Sequence, residues 1–389
     1  MQEHIFMRDY DEQLLDFAAR AVRTKSVSDH EGAFARLILD EMRLLGYDEA
    51  FIDGTGNVVG RVGKGPTVIH FDSHMDTVEV NDAELWDVPP FEGRVAEGVL
   101  WGRGSVDMKS ALCASVYAAA LAKREKLLDG KTVYVTGSVC EEYCDGECLR
   151  HFYKEQGVKP DYCVICEPSN NVITLGHKGK AQIRITTHGV SAHGSAPEKG
   201  VNAVYEMAEI ISRVDALNKR LSQKESDHGT VALSHISCVS ASLNAVPSEC
   251  SIYLDRRLAM GESIRQVREE MDGLIQGKDA SWKVGSLHHT TWKGAKLDYE
   301  PMHEPWAISK EHPLTLALNR AYSSVFHGAP ADYDFWDFGT NAVTPVSMGV
   351  PTIGFGPGEY KLAHMRNEHC SVQAIKDACA VYARLMAEL

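Results

Sequence analysis

The sequence predicts an α/β protein of two domains, and three observations lead there. Short apolar runs alternate with helical stretches through the first half of the chain, which implies a largely parallel central sheet covered on both faces. A β-α-β-β-α-β order follows in the middle, the pattern of a split βαβ, or ferredoxin-like, unit. The length, 389 residues with 44% hydrophobic and 24% charged content, is enough to bury a large core and makes two domains the natural expectation.

In chain order, Leu14, Leu15, Phe17, Ala18 and Val22 recur at helical spacing over 11–23, and Phe34, Leu37, Ile38, Met42 and Leu45 do so over 31–45. Both segments predict cover helices. Apolar runs at 67–71, 132–139 and 162–166, bounded by Gly, Pro, Asp or Ser, predict strands, with a helix at 109–124 among them. Beyond Gly176 the pattern predicts strand 180–187, helix 202–220, strands 229–238 and 249–258, helix 263–276 and strand 281–286. Residues 178–293 therefore read as a domain inserted into a first domain made of 1–177 and 294–389. The chain returns near Pro305 with helix 313–325, a Gly-rich strand at 351–355 and a last helix at 372–389.

A net charge of −14 argues against nucleic acid or an anionic membrane as partner, since both repel an acidic surface. The two long uncharged runs, 228–248 and 338–358, are rich in Ser, His and Asn or broken by Pro345, Pro351 and Pro357, and the apolar run 111–122 is too short to span a bilayer. The mixed, charged segment 1–13 predicts no secretory signal. Ten irregularly spaced cysteines are too dilute for a disulfide scaffold and predict reduced thiols in a cytoplasmic protein.

Five segments place carboxylates and histidines after apolar runs or in glycine-rich turns, where an open α/β sheet binds ligand. In the first, His74 and Asp76 stand two apart and project to one side of an extended chain, so one can hold a metal while the other orients it. Taken alone, the pair reads more readily as a polar loop pair than as a metal site. The second, Gly102-Arg103-Gly104-Ser105-Val106-Asp107-Met108-Lys109, also fits a helix N-terminus capped by Ser105 or Asp107. The third sets Glu141 beside Glu142 at a strand end, where adjacent carboxylates are costly unless a positive charge lies near. The fourth ends a strand with Glu167, and the fifth is a loop that delivers His364. Together they supply two histidines, three carboxylates and a spare carboxylate, the donor set of a bridged two-metal hydrolytic site.

The order His74-x-Asp76, Gly-Arg-Gly-Ser-x-Asp107-Met-Lys, Glu141-Glu142, Glu167-Pro-Ser and Ala-His364-x-x-Asn-Glu368 resembles the co-catalytic zinc amidohydrolases and exopeptidases. That family includes acetylornithine deacetylase, succinyl-diaminopimelate desuccinylase, the aminoacylases and the glutamate carboxypeptidases. The run Cys140-Glu-Glu-Tyr-Cys144-Asp-Gly is similar to its branch of selenium-metabolism-linked hydrolases. The resemblance implies a zinc-exopeptidase-like catalytic domain whose inserted domain serves as lid and dimerisation surface, and a homodimer joined there. It implies two divalent metal ions, zinc or else cobalt or manganese, bridged by Asp107. His74 and Glu167 would complete one site, and Glu142 and His364 the other. Asp76 would hydrogen-bond the ring of His74, and Glu141 would be the general base. His193, in Ser191-Ala192-His193-Gly194, would reach over the metals, in many relatives from the partner subunit, to stabilise the oxyanion. Without the family, His193 reads as part of a capped turn before helix 202–220.

Asn244 and Arg257 match lid positions that hold substrate, and Arg256 could exchange roles with Arg257. Glu167, where the family's aminopeptidases and dipeptidases carry Asp, implies a deacylase or carboxypeptidase acting on a small molecule with a free carboxylate. Asn341 stands where many relatives carry Asp, and no arginine of the desuccinylase type follows it. The expected reaction is deacylation of an N-acyl amino acid. A dipeptidase or carboxypeptidase, an N-carbamoyl or ureido amidohydrolase, and a catalytically silent binding protein are the alternatives.

Other residues invite functional readings that the pattern does not favour. Cys163 and Cys166, three apart on a strand, face opposite sides and do not form a metal pair with Cys140, Cys144 and Cys148. His70 reads as a core histidine, and His288, His289 and His369 as surface or loop residues. Trp86, Trp101 and Trp336 read as core aromatics rather than pocket walls.

Overall fold

A computed structural model describes residues 2–223 and 227–389 of the chain. Its larger sheet is mixed, with nine strands. Strands Lys131–Ser138, Thr67–His74, Tyr162–Ile165 and Thr352–Gly354 lie side by side and parallel, so their C-terminal ends open on one edge. Thr67–His74 is buried along its last six residues, including Ile69 and Phe71, as a strand covered on both faces must be. The alanine-rich helix Lys109–Arg124 is buried almost throughout because its small side chains let it pack closely between the sheet and the last helix, Val372–Glu388. An antiparallel hairpin, Glu49–Ile52 with Val58–Gly63, extends the sheet beside Lys131–Ser138. At the other end Ile173–His177 pairs antiparallel with Trp306–Ala307 and parallel with Tyr333–Trp336.

A second sheet has the order Thr230–Val239, Glu249–Leu258, Gly179–His188 and Ala280–Val284. Two helices cover one face. Ala203–Leu221 is capped by the Asn202 side chain, and Ile264–Ile275 opens with a capping box of Ser263 and Gln266. Ala181, Ile183, Ile185, Met207, Ile210, Val267 and Met271 form a core of its own. Burial alternates along Gly179–His188, as a strand with one covered face requires. The chain runs strand, helix, strand, strand, helix, strand through this unit, in the order its periodicity predicts.

Several features differ from the sequence expectation. The first helix starts at Gln2 rather than near residue 11. Residues 287–299 form a hairpin, Leu287–Thr290 with Lys296–Tyr299, whose Leu297 and Tyr299 join the core of the larger sheet. The expected division between 293 and 294 falls in its turn. Met302–His303 then pairs back onto Gly179–His188 before the chain re-enters the larger sheet. No helix among the described residues is long and apolar enough to cross a membrane. The cysteines are free thiols, with Cys238 exposed and the others buried.

Candidate active site

Three neighbouring parallel strands deliver the first donors. His74 ends Thr67–His74, Glu141 and Glu142 follow Lys131–Ser138, and Glu167 follows Tyr162–Ile165. Asp107 comes from the turn before helix Lys109–Arg124, and its peptide bond to Met108 is cis. His364 comes from the loop after the short helical turn Tyr360–Leu362.

The Asp107 carboxylate lies between the two imidazoles. His74 Nε2 is 2.8 Å from its Oδ1, and His364 Nε2 is 3.2 Å from its Oδ2. Each imidazole meets a second carboxylate: Glu167 Oε1 is 3.7 Å from His74 Nε2, and Glu142 Oε1 is 3.0 Å from His364 Nε2. Donor atoms of His74, Glu141 and Glu167 lie within 4.8 Å of one another, as do those of His74, Asp107 and Glu142. The two donor groups have His74 in common, and Asp107 stands between the imidazole–carboxylate pairs His74–Glu167 and His364–Glu142.

Electrostatics give the same picture. Burial pushes Glu141 well above the usual carboxylate range; His74 opposes this, and the charges of Glu167, Asp145 and Glu142 add to it. Glu167 is raised by burial and by Asp107 and Glu142 against the pull of His74. Burial alone would lower His74, but bonds to Asp107 and Asp76 and the charge of Glu167 lift it well above its ordinary value. Bonds to Asp107 and Glu142 raise His364 to about 10. Each imidazole is held towards its cationic form by crowded carboxylates, which is the response of a site with surplus negative charge. Fully ionised, Asp107, Glu141, Glu142 and Glu167 would carry four negative charges, which two dications would balance. Imidazole and carboxylate donors sharing one bridging group suit such a pair. Cys140 and His364 hold left-handed backbone at φ 56° and 61°, a conformation that costs a non-glycine residue about 1–3 kcal/mol.

Supporting groups fix these donors. His74 Nδ1 bonds the backbone oxygen of Asp76 at 2.9 Å, while the Asp76 carboxylate comes no nearer to the ring than 3.5 Å. That carboxylate accepts the backbone N–H groups of Glu141 and Glu142 and the Ser28 hydroxyl. Asp76 therefore orients the paired glutamates as well as the histidine, a role its place in the sequence did not reveal. A second support also escaped the sequence reading. Glu368, fully buried, accepts the N–H groups of Val106 and Asp107, and Arg103 donates to it at 2.6 Å. Arg103 also donates to the backbone oxygens of His364 and Met365, so one clamp holds both the Asp107 turn and the His364 loop. The signal available was Glu368 in the Asn-Glu end of the His364 motif.

The residues expected to reach the site from segment 178–293 are bonded within that segment. His193 is exposed, bonded through Nδ1 to Ser195, and its neighbour Gly194 donates to the Asn244 backbone oxygen, so His193 and Asn244 share one turn assembly. No hydrogen bond or ion pair among the described residues joins them to the acidic cluster. Arg257 stays partly exposed and is forked onto Asp255. Arg256 does not share its role: it is fully buried, and Glu262 and Glu270 occupy its guanidinium.

Asn341 is buried, donating to Asp72 and Ser138 and accepting from the N–H of Gly146. A carboxylate in its place would face Asp72, so the amide follows from its partner. His70 bonds Tyr153 and Thr136 within the core. His289 is no free loop residue: it stacks on Tyr143 at 4.6 Å and meets Asp29 at 3.4 Å, and the His369 ring lies tilted against Trp101 at 4.4 Å. His288 is exposed and bonded to Asp298. Trp336 is a core residue, and Trp86 lies buried against the Arg103 guanidinium.

Comparison with known proteins adds names to this geometry. The model of peptidase family M20/M25/M40 matches residues 70–388. An uncharacterised protein of Escherichia coli K12, YgeY, is 35% identical over 382 residues, covering 97% of this chain and 94% of that protein. A probable succinyl-diaminopimelate desuccinylase of Staphylococcus epidermidis is 26% identical, over 90% and 91% of the two chains. Among solved structures, aminopeptidase PepT of Bacillus cereus superposes with a TM-score of 0.73 at 20% identity, over 97% of this chain and 98% of its own.

Proposed function

The chain belongs to peptidase family M20/M25/M40, whose members are metallohydrolases of amide or peptide bonds, and on that premise we propose that it deacylates N-acyl amino acids. The observation that carries this reading is the Asp107 carboxylate set between His74 and His364, each beside its own second carboxylate. Family members use a dinuclear metal site; here His74, Glu167 and Asp107 would hold one ion and Asp107, Glu142 and His364 the other, with zinc favoured by the imidazole and carboxylate donors. When bound, two such ions bring a water's pKa towards neutrality and polarise the scissile carbonyl.

Glu141 is the general base. It lies within reach of the His74 and Glu167 donors, where a carboxylate can take a proton from water and pass it to the departing amine. Asp76 fixes it through the N–H of Glu141 itself. Residues 178–293 act as a lid that brings Arg257 to the substrate carboxylate and Asn244 and His193 to the reacting carbonyl. His193, exposed on that lid, serves the site of the partner subunit in a homodimer. The exposed strand Thr230–Val239, at the end of the second sheet with Ile236 and Val239 outward, supplies the joining edge. Free thiols suit a cytoplasmic enzyme.

The metal-loaded protein should release amine from N-acetyl amino acids faster than from dipeptides or ureido acids. A preference for dipeptides or for ureido acids would replace the deacylase reading with a peptidase or a carbamoylase. Silence across all three panels would leave a binding protein.

A further inference from the structure

The polypeptide passes between its two sheets twice, and the two passages lie side by side. On the outward pass Ile173–His177 leads through Lys178 into Gly179–His188, and on the return Met302–His303 leads through Glu304 and Pro305 into Trp306–Ala307. His303 pairs with Lys180 on the second-sheet side, and Trp306 pairs with His177 on the first. The connection is therefore a two-stranded ribbon, and any movement of one sheet against the other must bend it. A cleft of about 660 Å³, lined in part by Tyr299, Met302, His303 and Trp306, leaves open space along it.

One side chain from the acidic turn grips this ribbon. Asp145, four residues after Glu141, is buried, and its Oδ2 accepts from Lys180 Nζ at 3.0 Å, from the Tyr299 hydroxyl at 3.0 Å and from His303 Nε2 at 3.4 Å. Lys180 and His303 are the cross-strand pair on the second-sheet side of the ribbon. On its other edge Lys180 pairs with Arg257. The next residue, Gly146, is tied through its N–H to Asn341 in the first core. The turn bearing Glu141 and Glu142 is thus anchored to one domain and bonded to the entrance of the other.

We propose that Asp145 is a positioning residue, a latch that sets the angle of the interdomain ribbon and so ties the placing of Arg257 over the substrate to the turn that carries Glu141. The proposal rests on the metallohydrolase reading above for its link to catalysis and on the ribbon geometry for the latch itself. With the latch cut, the second sheet samples more orientations, the fraction of molecules able to hold substrate falls, and KM rises by the inverse of that fraction. A charge-assisted hydrogen-bond cluster of this kind predicts a KM about 10-fold higher for Asp145→Ala, with kcat and metal content little changed. Asp145→Asn, which keeps the acceptor oxygen, should recover part of the loss.

The direct test measures the distance between spin labels at Leu44→Cys on the first domain and Arg265→Cys on the second, in a Cys238→Ser background of the full chain. The parent should give a narrow distribution, and Asp145→Ala and Lys180→Met broader ones. Unchanged distributions in folded Asp145→Ala or Lys180→Met protein overturn the latch whatever the activity. If Asp145→Ala does not fold, Lys180→Met and His303→Gln carry the same test. Broadening with an unchanged KM overturns the link to catalysis. Broadening in a protein that hydrolyses none of the three substrate panels supports the latch and instead removes the proposed function.

Discussion

Arg256 and Asp107 are both charged and both withdrawn from water, yet their surroundings are opposite in kind. Arg256 is enclosed by carboxylates that match its own fork, Glu262 and Glu270, at 2.9–3.1 Å. The protein has completed that cluster by itself, and it serves the fold of the second domain. Asp107 lies near Glu142 and Glu167, with Glu141 beside the same His74, and the groups that answer these carboxylates are two imidazoles pushed towards their cationic form. In the proposed reading, that cluster would be completed by cations from outside the chain. Buried charge that balances internally marks structure, and buried charge left in surplus marks a site.

The largest expected effect lies in the unbalanced region. Glu141→Ala should lower turnover by ~10²–10⁴-fold while metal content stays near the parent value, because in the proposed mechanism Glu141 would move protons and the other carboxylates would hold the ions. Turnover and bound metal measured on one sample separate the two roles, and near-normal activity would remove Glu141 from the mechanism. Arg256→Met probes the balanced region and should cost ~3–5 kcal/mol in denaturant unfolding, since it strands two glutamates without their cation. The surviving folded protein should still bind its metals. Glu368→Gln lies between the two regions: it weakens the clamp on the Asp107 turn and should lower metal affinity by roughly 10–100-fold, read by metal titration, with a smaller loss of stability than Arg256→Met.

A further effect concerns pH and shows only under acid conditions. Burial lowers both His70 and His177 to about 3, so each remains neutral in the fold while the unfolded chain takes up a proton below about 6.5. Their contribution is complete above about 6.5 and is lost as pH falls from there towards 3, at up to ~1.4 kcal/mol per pH unit for each group. Unfolding free energies across that window should show a shallower slope for His70→Asn than for the parent. An identical slope would mean that His70 is already protonated in the fold.

That His74, Glu141, Glu142 and Glu167 come together was legible in the sequence because each follows a strongly β-forming run, and parallel strands bring such ends together whatever lies between them. Asp107 and His364 sit in turns, where only the order of the five segments, and not a local pattern, pointed to them. What could not be read were pairings across long separations. Arg103 and Glu368, or Asn341 and Asp72, meet over some 265 residues or more with nothing local to announce it. The hairpin 287–299 was missed because its strands are four residues each, too short for alternation to stand out, and so His289 was read as a loop residue. Arg256 and Arg257 looked interchangeable because neighbours on a strand differ only in the face they present, and one face of that sheet is a core.

The central claim is that the acidic pocket is completed by two metal ions that the catalysis requires. Titrating metal-free protein with Zn²⁺ while reading both heat of binding and hydrolysis of an N-acetyl amino acid tests it most directly. The account predicts two tight equivalents per chain, activity that rises with their binding, and loss of both in Asp107→Asn. Saturable activity without stoichiometric metal, or unchanged binding in Asp107→Asn, would contradict it.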